Sequence, residues 1–285
     1  MSRLFEALQR SEPEGFRFDF VQPETAASQP PKTSETAPPN GETGTHELGL
    51  FPSIPISVPQ DTRLVSLSEK ESLGAEKFRY LAVRLRQMQQ ARPLKKVLVT
   101  STIPEEGKSM VSGNLAITLA RRKQHKVLLL DGDLRRPVLA REFGVAHLPG
   151  LSEYLQGDPG PMRNIYHLDG AGLWFLPAGN TPENPLELMQ SGRLVKLLEQ
   201  LAAQFDWIII DSPPILPLAD TSVWTRNTDG ILLVTREGTT QKRQLKRGLE
   251  ALNQSKLLGV VLNSATNADD SNYYQRYGRS VPPAK

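Results

Sequence analysis

The stretch from Val97 to Met110 constrains the fold of this chain more than any other part of the sequence. It begins with an apolar, β-branched run, Val97–Thr100, which predicts a buried parallel strand. Gly-Lys-Ser follows at positions 107–109, and a helical pattern then extends from Ser109 to Arg122. Backbone N–H groups at a helix start point at a bound anion, and the helix dipole favours negative charge there. The stretch therefore predicts a phosphate-binding loop of the P-loop type.

The residues of this loop are the predicted nucleotide contacts. Lys108 can reach the β- and γ-phosphates, and the Ser109 hydroxyl can bind Mg²⁺. The full set of predicted contacts in the loop is Glu106, Gly107, Lys108, Ser109 and Met110. The full P-loop pattern also has a glycine five residues before Gly107, where this chain has Thr102. Glu105 and Glu106 would repel phosphate unless their side chains point to solvent. The alternative is an ordinary strand–turn–helix connection of an α/β domain.

Composition excludes several classes of function. The chain has 285 residues and no cysteine, which excludes disulfides, thiolate metal sites, iron–sulfur clusters and cysteine nucleophiles. The net charge of +3 and four scattered histidines give no indication of a nucleic-acid-binding surface or a zinc site, so we expect no nucleic-acid partner. The chain contains no apolar run of transmembrane length, and its start does not resemble a signal peptide. We therefore expect a cytoplasmic protein.

The sequence divides into three parts. Residues 1–65 combine a short amphipathic pattern, Ser2–Arg10, with a Pro-, Glu-, Thr- and Ser-rich stretch that predicts a disordered linker. Residues 66–264 are the predicted P-loop domain, which opens with a helical pattern over Ser68–Gln90. Residues 265–285 form a polar tail that contains three of the six tyrosines: Tyr273, Tyr274 and Tyr277.

Strand and helix patterns alternate through the central part and predict a doubly wound, mostly parallel sheet flanked by helices. The predicted strands after the loop are Lys126–Asp131, Leu173–Pro177, Trp207–Asp211, Gly230–Thr235 and Leu258–Asn263. The predicted helices after the loop are Glu183–Gln204, broken near Ser191 and Gly192, and Gln241–Asn253.

The predicted strand ends bring three aspartates beside the P-loop. Ligands of open α/β sheets bind beyond the carboxyl ends of the strands, where this chain has Asp131, Asp133 and Asp211. Oxygen ligands suit Mg²⁺, so one carboxylate is expected to help hold the metal and another to accept a proton from the attacking hydroxyl. The spacing leaves open which aspartate is the base, and a helix cap is the alternative for each alone.

Two polar residues near the same strand ends have open alternatives. Asn263 closes the last predicted strand, where it can either hydrogen-bond adenine or form a turn. Arg135, on the turn after Asp133, can bind phosphate or an acidic partner, or simply lie in solvent.

Taken together, these motifs resemble the bacterial tyrosine kinases of capsule and exopolysaccharide assembly. Leu128–Arg135 resembles the family's second Walker motif, a hydrophobic triplet followed by Asp-x-Asp-x-Arg. Ile208–Pro214 resembles its Walker B strand, and Leu176–Leu188 is similar to a stretch that these kinases carry between the two. The resemblance extends from about Glu76 to Tyr277.

The resemblance implies ATP-dependent tyrosine autophosphorylation in trans, with the tail tyrosines as substrates. It implies that Lys108, Asp131, Asp133 and Asp211 carry the catalysis. It further implies that Ser109, Asp131 and Asp211 hold Mg²⁺. The implied partners are protein tyrosine substrates, further copies of the chain in a homo-oligomer, and a membrane-embedded polysaccharide co-polymerase. This co-polymerase would activate the kinase and recruit it to the inner face of the plasma membrane.

The chain departs from the family pattern at three places. The Glu-x-x-Arg-x-x-Arg helix used for ring assembly is present as Glu76 and Arg79, but Ala82 stands at the third position. Glu105 replaces the usual loop glycine, and the tail has only three tyrosines.

Two other functions remain open. The first is a partitioning or septum-positioning ATPase switch, a class with a second lysine near the loop start, where this chain has Thr102 and Ile103. The second is a non-catalytic nucleotide-binding scaffold of a polysaccharide export complex.

Overall fold

The computed structural model of the protein describes residues 51–59, 62–122, 124–145, 148–158, 160–216 and 219–264. The strands in this part of the chain are β1 (Ser53–Pro55), β2 (Lys96–Ser101), β3 (Val127–Asp131), β4 (Tyr166–Asp169), β5 (Leu173–Leu176), β6 (Trp207–Asp211), β7 (Gly230–Arg236) and β8 (Leu257–Asn263). They form one sheet in the order β1-β4-β5-β3-β6-β2-β7-β8, in which only the β4–β5 pair is antiparallel. The predicted doubly wound, mostly parallel sheet is confirmed.

Helices lie between most consecutive strands, as the alternating pattern predicts. They are α1 (Val65–Ser68), α2 (Leu73–Ala91), α3 (Lys108–Ala120), α4 (Leu139–Glu142), α5 (Leu151–Gln156), α6 (Pro185–Gln190), α7 (Arg193–Gln204), α8 (Asp220–Asn227) and α9 (Lys242–Ala251). Of these helices, α1, α4, α5 and α8 were not predicted. The predicted break near Ser191 and Gly192 separates α6 from α7, and Gly192 there has the left-handed φ of 73°. Glycine adopts this conformation without steric cost, which explains why the helix is interrupted at that point.

Helices cover both faces of the sheet, so the molecule has two apolar layers. Successive side chains of a strand point to opposite faces, and Leu98 accordingly packs in one layer while Val97 and Val99 pack in the other. Residues of α1 to α4 contribute to the layer with Val97, and residues of α5 to α9 contribute to the layer with Leu98. Both faces are therefore buried, which is why the central strands read as continuous apolar runs.

Strands β1 and β4 do not appear among the predicted strands. β1 lies in the stretch predicted as linker, yet it pairs in parallel with β4, and Phe51 just before it is buried. Three residues are too few to show a period-2 pattern, and the pairing partner lies more than a hundred residues away. The folded part of the chain thus begins before residue 66. The predicted Ser2–Arg10 helix and the tail tyrosines lie outside the described residues.

Helix α2 differs from its prediction at its start. It begins at Leu73 because the Ser72 hydroxyl accepts a hydrogen bond from the Ala75 backbone N–H at 3.2 Å, which is an N-cap. Ala82 is completely buried on the face of α2 that packs into the layer with α3. Within the ranges described above, no helix is long and apolar enough to span a membrane.

Candidate functional site at the carboxyl end of the sheet

The P-loop between β2 and α3 requires a glycine immediately before the helix. Gly107 has a φ of 92°, in the left-handed region that side chains disfavour. A Cβ atom at this position would also lie 2.2 Å from Asn263 Nδ2, which is far below van der Waals contact. Backbone conformation and close packing therefore both explain the glycine of the Gly-Lys-Ser motif.

The two acidic residues of the loop have different environments. The Glu105 side chain is exposed, which is the condition under which it need not repel phosphate, and its backbone adopts a φ of 67° that is unusual for a non-glycine residue. Glu106 does not point to solvent, because it is completely buried. Its carboxylate accepts hydrogen bonds from the Ile103 N–H, at 2.8 Å, and from the Thr240 hydroxyl. Glu106 is thereby held within the loop's own scaffold.

Asn263 links the last strand to the P-loop. Its Nδ2 donates to the Glu106 carbonyl at 2.9 Å, and its Oδ1 accepts from the Ser264 N–H at 2.8 Å. The side chain therefore acts as a clamp between β8 and the loop. The predicted contact of Asn263 with adenine stays a prediction, and Met110 lies half-buried on the first turn of α3.

Lys108 lies among the predicted carboxylates. Its Nζ is 2.9 Å from Asp133 Oδ2, 3.9 Å from Asp211 Oδ2 and 3.3 Å from the Ser109 hydroxyl. Burial lowers the pKa of this ammonium, but the negative charges of Asp211 and Asp133 outweigh burial and raise the pKa above its usual value. Lys108 is therefore a fixed positive charge at the start of α3.

Asp131 and Asp211 are direct neighbours across the β3–β6 pair, and both are completely buried. Burial, followed by the charge of Asp211, raises the pKa of Asp131 to about 8, although the Leu139 N–H and Lys108 oppose the change. Burial also raises the pKa of Asp211, and Lys108 and the hydroxyls of Ser109 and Ser112 partly offset it. Two buried carboxylates side by side are costly unless a cation or a proton neutralises them.

The oxygens of these carboxylates differ in whether they have hydrogen-bond partners. Asp131 accepts the Asp133 N–H at 3.3 Å and the Leu139 N–H at 3.1 Å, one on each oxygen. Asp211 Oδ1 accepts from the Ser112 hydroxyl at 3.3 Å, whereas the buried Oδ2 has no hydrogen-bond partner. An orphaned buried carboxylate oxygen beside the Ser109 hydroxyl fits a site for a hard cation and its water ligands.

Among the described residues, the carboxylates and imidazoles form no cage for a metal. Within the described part of the chain, no three His, Asp or Glu side chains are arranged to hold a metal ion. Mg²⁺ usually binds proteins through one or two carboxylates, with waters and substrate phosphates completing the octahedron. The arrangement of Ser109, Asp131 and Asp211 fits that mode of binding, and it would depend on the phosphates of a bound nucleotide.

The sequence pattern does not reveal several residues that support this site. Arg135 is not free in solvent, because its guanidinium forms two hydrogen bonds with the buried carboxylate of Asp220. Thr240 supports Glu106, and Ser112 contacts Asp211. Arg135 was singled out from the sequence, but its partner was not. Of Asp220, Thr240 and Ser112, only the last carries a sequence signal, since it lies one helical turn after Lys108 and thus on the same side of α3.

Comparisons with known proteins agree with this geometry. A family model described as "ParA: NUBPL iron-transfer P-loop NTPase" matches residues 94–275. Tyrosine-protein kinase YwqD of Bacillus subtilis is 34% identical over 212 residues, which cover 74% of this chain and 89% of that protein. Putative tyrosine-protein kinase CapB of Staphylococcus aureus is 32% identical over 210 residues, which cover 73% of this chain and 92% of that protein.

A longer relative matches over only part of its length. Tyrosine-protein kinase etk of Escherichia coli is 34% identical over 179 residues, which cover 62% of this chain but only 24% of that protein. The solved kinase domain of the Escherichia coli tyrosine kinase ETK superposes with a TM-score of 0.66 at 30% identity, over 72% of this chain and 82% of the domain. The chain therefore matches the shorter kinases along most of their length and the longer one only in part.

Proposed function

The chain belongs to the family of bacterial tyrosine kinases of capsule and exopolysaccharide assembly, and from that premise we propose that it transfers the γ-phosphoryl group of ATP to its own tail. The acceptors are Tyr273, Tyr274 and Tyr277, and transfer occurs in trans between two copies. The observation that carries this proposal is the position of Lys108. It lies at the first turn of a helix whose N-terminus can bind phosphate, within 4 Å of carboxylates from two different strand ends.

The backbone of the P-loop and Lys108 bind the phosphates, and the rigid loop orients them. Glu106 and Asn263 keep the loop in place through their contacts with Ile103, Thr240 and the loop backbone. Mg²⁺, when bound, neutralises phosphate charge, and Ser109, Asp131 and Asp211 would hold it.

The transfer itself balances without a further reactant. The phenolic oxygen of the acceptor tyrosine bonds to the γ-phosphorus while the bond from that phosphorus to the leaving oxygen of ADP breaks. The phenolic proton passes to one of the three aspartates at the strand ends. Since little covalent chemistry is left to the protein, its contribution is positioning and electrostatic stabilisation.

Mixing two variants tests both the acceptors and transfer in trans. One variant is Lys108→Met with an intact tail, and the other has Phe at positions 273, 274 and 277 with an intact P-loop. Incubated separately with Mg-ATP, each should show little phosphotyrosine. When the two variants are mixed, phosphotyrosine should appear on the Lys108→Met chain. Label on the Phe variant alone, for example at Tyr80, Tyr154 or Tyr166, would contradict the assignment of the tail as substrate.

We further propose a membrane-embedded polysaccharide co-polymerase as the activator and a homo-oligomer as the active assembly. Glu76 and Arg79 of α2 form an exposed ion pair, and α2 also exposes Tyr80 and Val83 to solvent. Ala82 stands where the family motif has its third arginine. It is buried and contributes nothing to this surface. Mass measurement in solution, with and without a candidate activator's cytoplasmic segment, tests whether a ring assembles through α2.

The competing function is a nucleotide-binding switch or scaffold without kinase activity. This chain has Thr102 and Ile103 where the ATPase switches have their second lysine, which speaks against that function. The absence of cysteine speaks against iron transfer through thiolates. The two functions differ in a single readout, namely whether Mg-ATP yields phosphotyrosine in the presence of an activator. ADP release without phosphotyrosine would favour the switch.

A further inference from the structure

Helix α8 contacts the loop that carries Asp133 through an ion pair. Arg135 Nε and Nη2 donate to the two carboxylate oxygens of Asp220 at 2.6 and 3.1 Å, in the fork geometry of a bidentate pair. Asp220 is 2% exposed, whereas the Arg135 side chain is 39% exposed. The buried carboxylate of Asp220, at the start of α8, thus holds the guanidinium of Arg135 on the loop that carries Asp133.

The same helix makes a second contact with this loop, through Trp224. Its indole Nε1 donates to the Gly132 carbonyl at 3.2 Å. The ring packs so closely that a Cβ atom on Gly132 would lie 2.6 Å from it. Gly132 is the residue between Asp131 and Asp133, so the tryptophan fixes the backbone between the two carboxylates.

Helix α8 also holds the loop after β6. The Thr221 hydroxyl donates to the Pro213 carbonyl at 2.9 Å, two residues after Asp211. The Gly132 N–H donates to the Asp211 carbonyl at 2.8 Å, which joins the two loops directly. The first two turns of α8 therefore connect both strand ends that carry the site's aspartates.

We propose that Arg135 and Asp220, supported by Trp224, are positioning residues that hold the Asp131–Asp133 loop against Lys108. None of the three touches the predicted reacting atoms, and they act through the loop. Asp133 lies two residues before Arg135, and its Oδ1 already accepts the Arg136 N–H at 3.0 Å, so a shift of Arg135 moves Asp133. The inference rests on the proposed kinase function, because positioning is defined by the reaction that it serves.

Paired variants separate positioning from mere stability. Arg135→Met and Asp220→Asn each break the pair, and Arg135→Lys keeps the charge but loses the fork geometry. We expect the two breaking variants to lower kcat for tail phosphorylation by about 10²-fold, since a small misplacement near reacting groups has effects of that size. The KM for ATP should change by less than about threefold because the P-loop backbone is untouched. Arg135→Lys should recover part of the lost kcat.

Hydrogen exchange on the full chain gives a readout that does not depend on activity. In Asp220→Asn, the backbone amides of residues 132–139, apart from Pro137, should exchange at least about tenfold faster, while those of α3 keep the wild-type rate. A matched control, Lys246→Met with Glu250→Gln, removes an exposed pair of α9 whose charged atoms lie 3.9 Å apart, and should leave kcat and exchange unchanged.

The outcomes distinguish this inference from the proposed function. Faster exchange confined to residues 132–139 in a chain whose wild type forms no phosphotyrosine would retain the positioning contact and reject the kinase function. An active wild type whose breaking variants keep full kcat would overturn the inference. Uniformly faster exchange across the sheet would also overturn it, since the pair would then serve stability alone.

Discussion

Charged side chains differ in burial and in hydrogen bonding between the two ends of the sheet. At the carboxyl end, the side chain of Lys108 is 12% exposed and that of Asp211 is fully buried, and the Oδ2 atom of Asp211 lacks a hydrogen-bond partner. At the amino end, Lys96 and Asp229 form a pair with 22% and 28% exposed side chains and 3.6 Å between charged atoms. One Asp229 oxygen also accepts the N–H groups of Lys95 and Lys96 at 2.9 and 2.8 Å.

This difference separates ionic groups that are satisfied within the fold from buried carboxylates that are not fully satisfied by the protein. The amino end carries a cleft of about 520 Å³ near Lys96 and Asp229, but its ionic groups satisfy each other and the backbone in a partly solvated setting. The carboxyl end buries charges whose cost a phosphate and a cation would offset. A buried carboxylate oxygen without a hydrogen-bond partner, more than the volume of a cleft, is therefore the reason to place the candidate site at the carboxyl end.

The largest expected effect comes from removing the buried cation. Lys108→Met should lower the initial rate of phosphotyrosine formation by about 10³-fold, because it removes a preorganised positive charge from the transferring phosphoryl group. Lys96→Met, the matched change at the amino end, should leave the rate within about twofold. Phosphotyrosine blots over a time course with Mg-ATP measure both rates, and equal losses in the two variants would erase the distinction between the ends.

The second-largest expected difference between the two ends is the pH dependence of stability, which should arise at the carboxyl end. Without metal or nucleotide, the pKa of Asp131 is about 8 in the folded protein and about 4 in the unfolded chain. Between these values the folded state binds a proton that the unfolded state lacks. The free energy of unfolding should therefore fall as pH rises from about 5 to about 8, by up to roughly 1 kcal/mol per pH unit.

Urea unfolding with a chelator present, at several pH values, measures this slope. Asp131→Asn should make the slope shallower, because the neutral amide cannot titrate and only the raised pKa of Asp211 is left to contribute. Asp229→Asn should leave the slope as it is in the wild type while lowering stability at every pH, since it weakens hydrogen bonds to two backbone N–H groups. A slope in Asp131→Asn as steep as that of the wild type would show that Asp131 does not carry the titration.

Local patterns in the sequence predicted the central strands and the residues that end them. Trp207–Asp211 is an apolar run that stops at an aspartate, and it forms β6 with the same bounds. Asp131 and Asp211 follow from such runs, because strands of a parallel sheet deliver their carboxyl ends to one edge. Pairings between distant segments left no such signal, which is why β1 and the Arg135–Asp220 pair were not predicted.

The sequence also could not predict which of the two loop glutamates is buried and which is exposed. Two consecutive glutamates look alike in the sequence, yet Glu106 is buried against Ile103 and Thr240 while Glu105 is exposed. The partner Thr240 lies on the connection after β7, more than a hundred residues away. Only the folded backbone decides which of the two side chains turns inward.

The smallest expected effect concerns backbone strain, which also concentrates at the carboxyl end. Among the described residues, Glu105 and Ser264 alone combine a side chain with a positive φ, of 67° and 56°, and both follow the carboxyl end of a strand. Glu105→Gly should raise the free energy of unfolding by about 0.5 kcal/mol. Relief of the left-handed conformation contributes about 1 kcal/mol, and the greater freedom of glycine in the unfolded chain offsets part of it.

Glu105→Ala separates strain from charge, because it removes the carboxylate but keeps a Cβ atom at the same φ. If the exposed carboxylate repels phosphate, both variants should bind Mg-ADP more tightly by a similar factor, whereas only Glu105→Gly should gain stability in urea. An equal gain in stability from alanine would assign the cost to charge repulsion within the loop. The carboxyl end would then differ from the amino end in electrostatics alone, with no strain stored in its backbone.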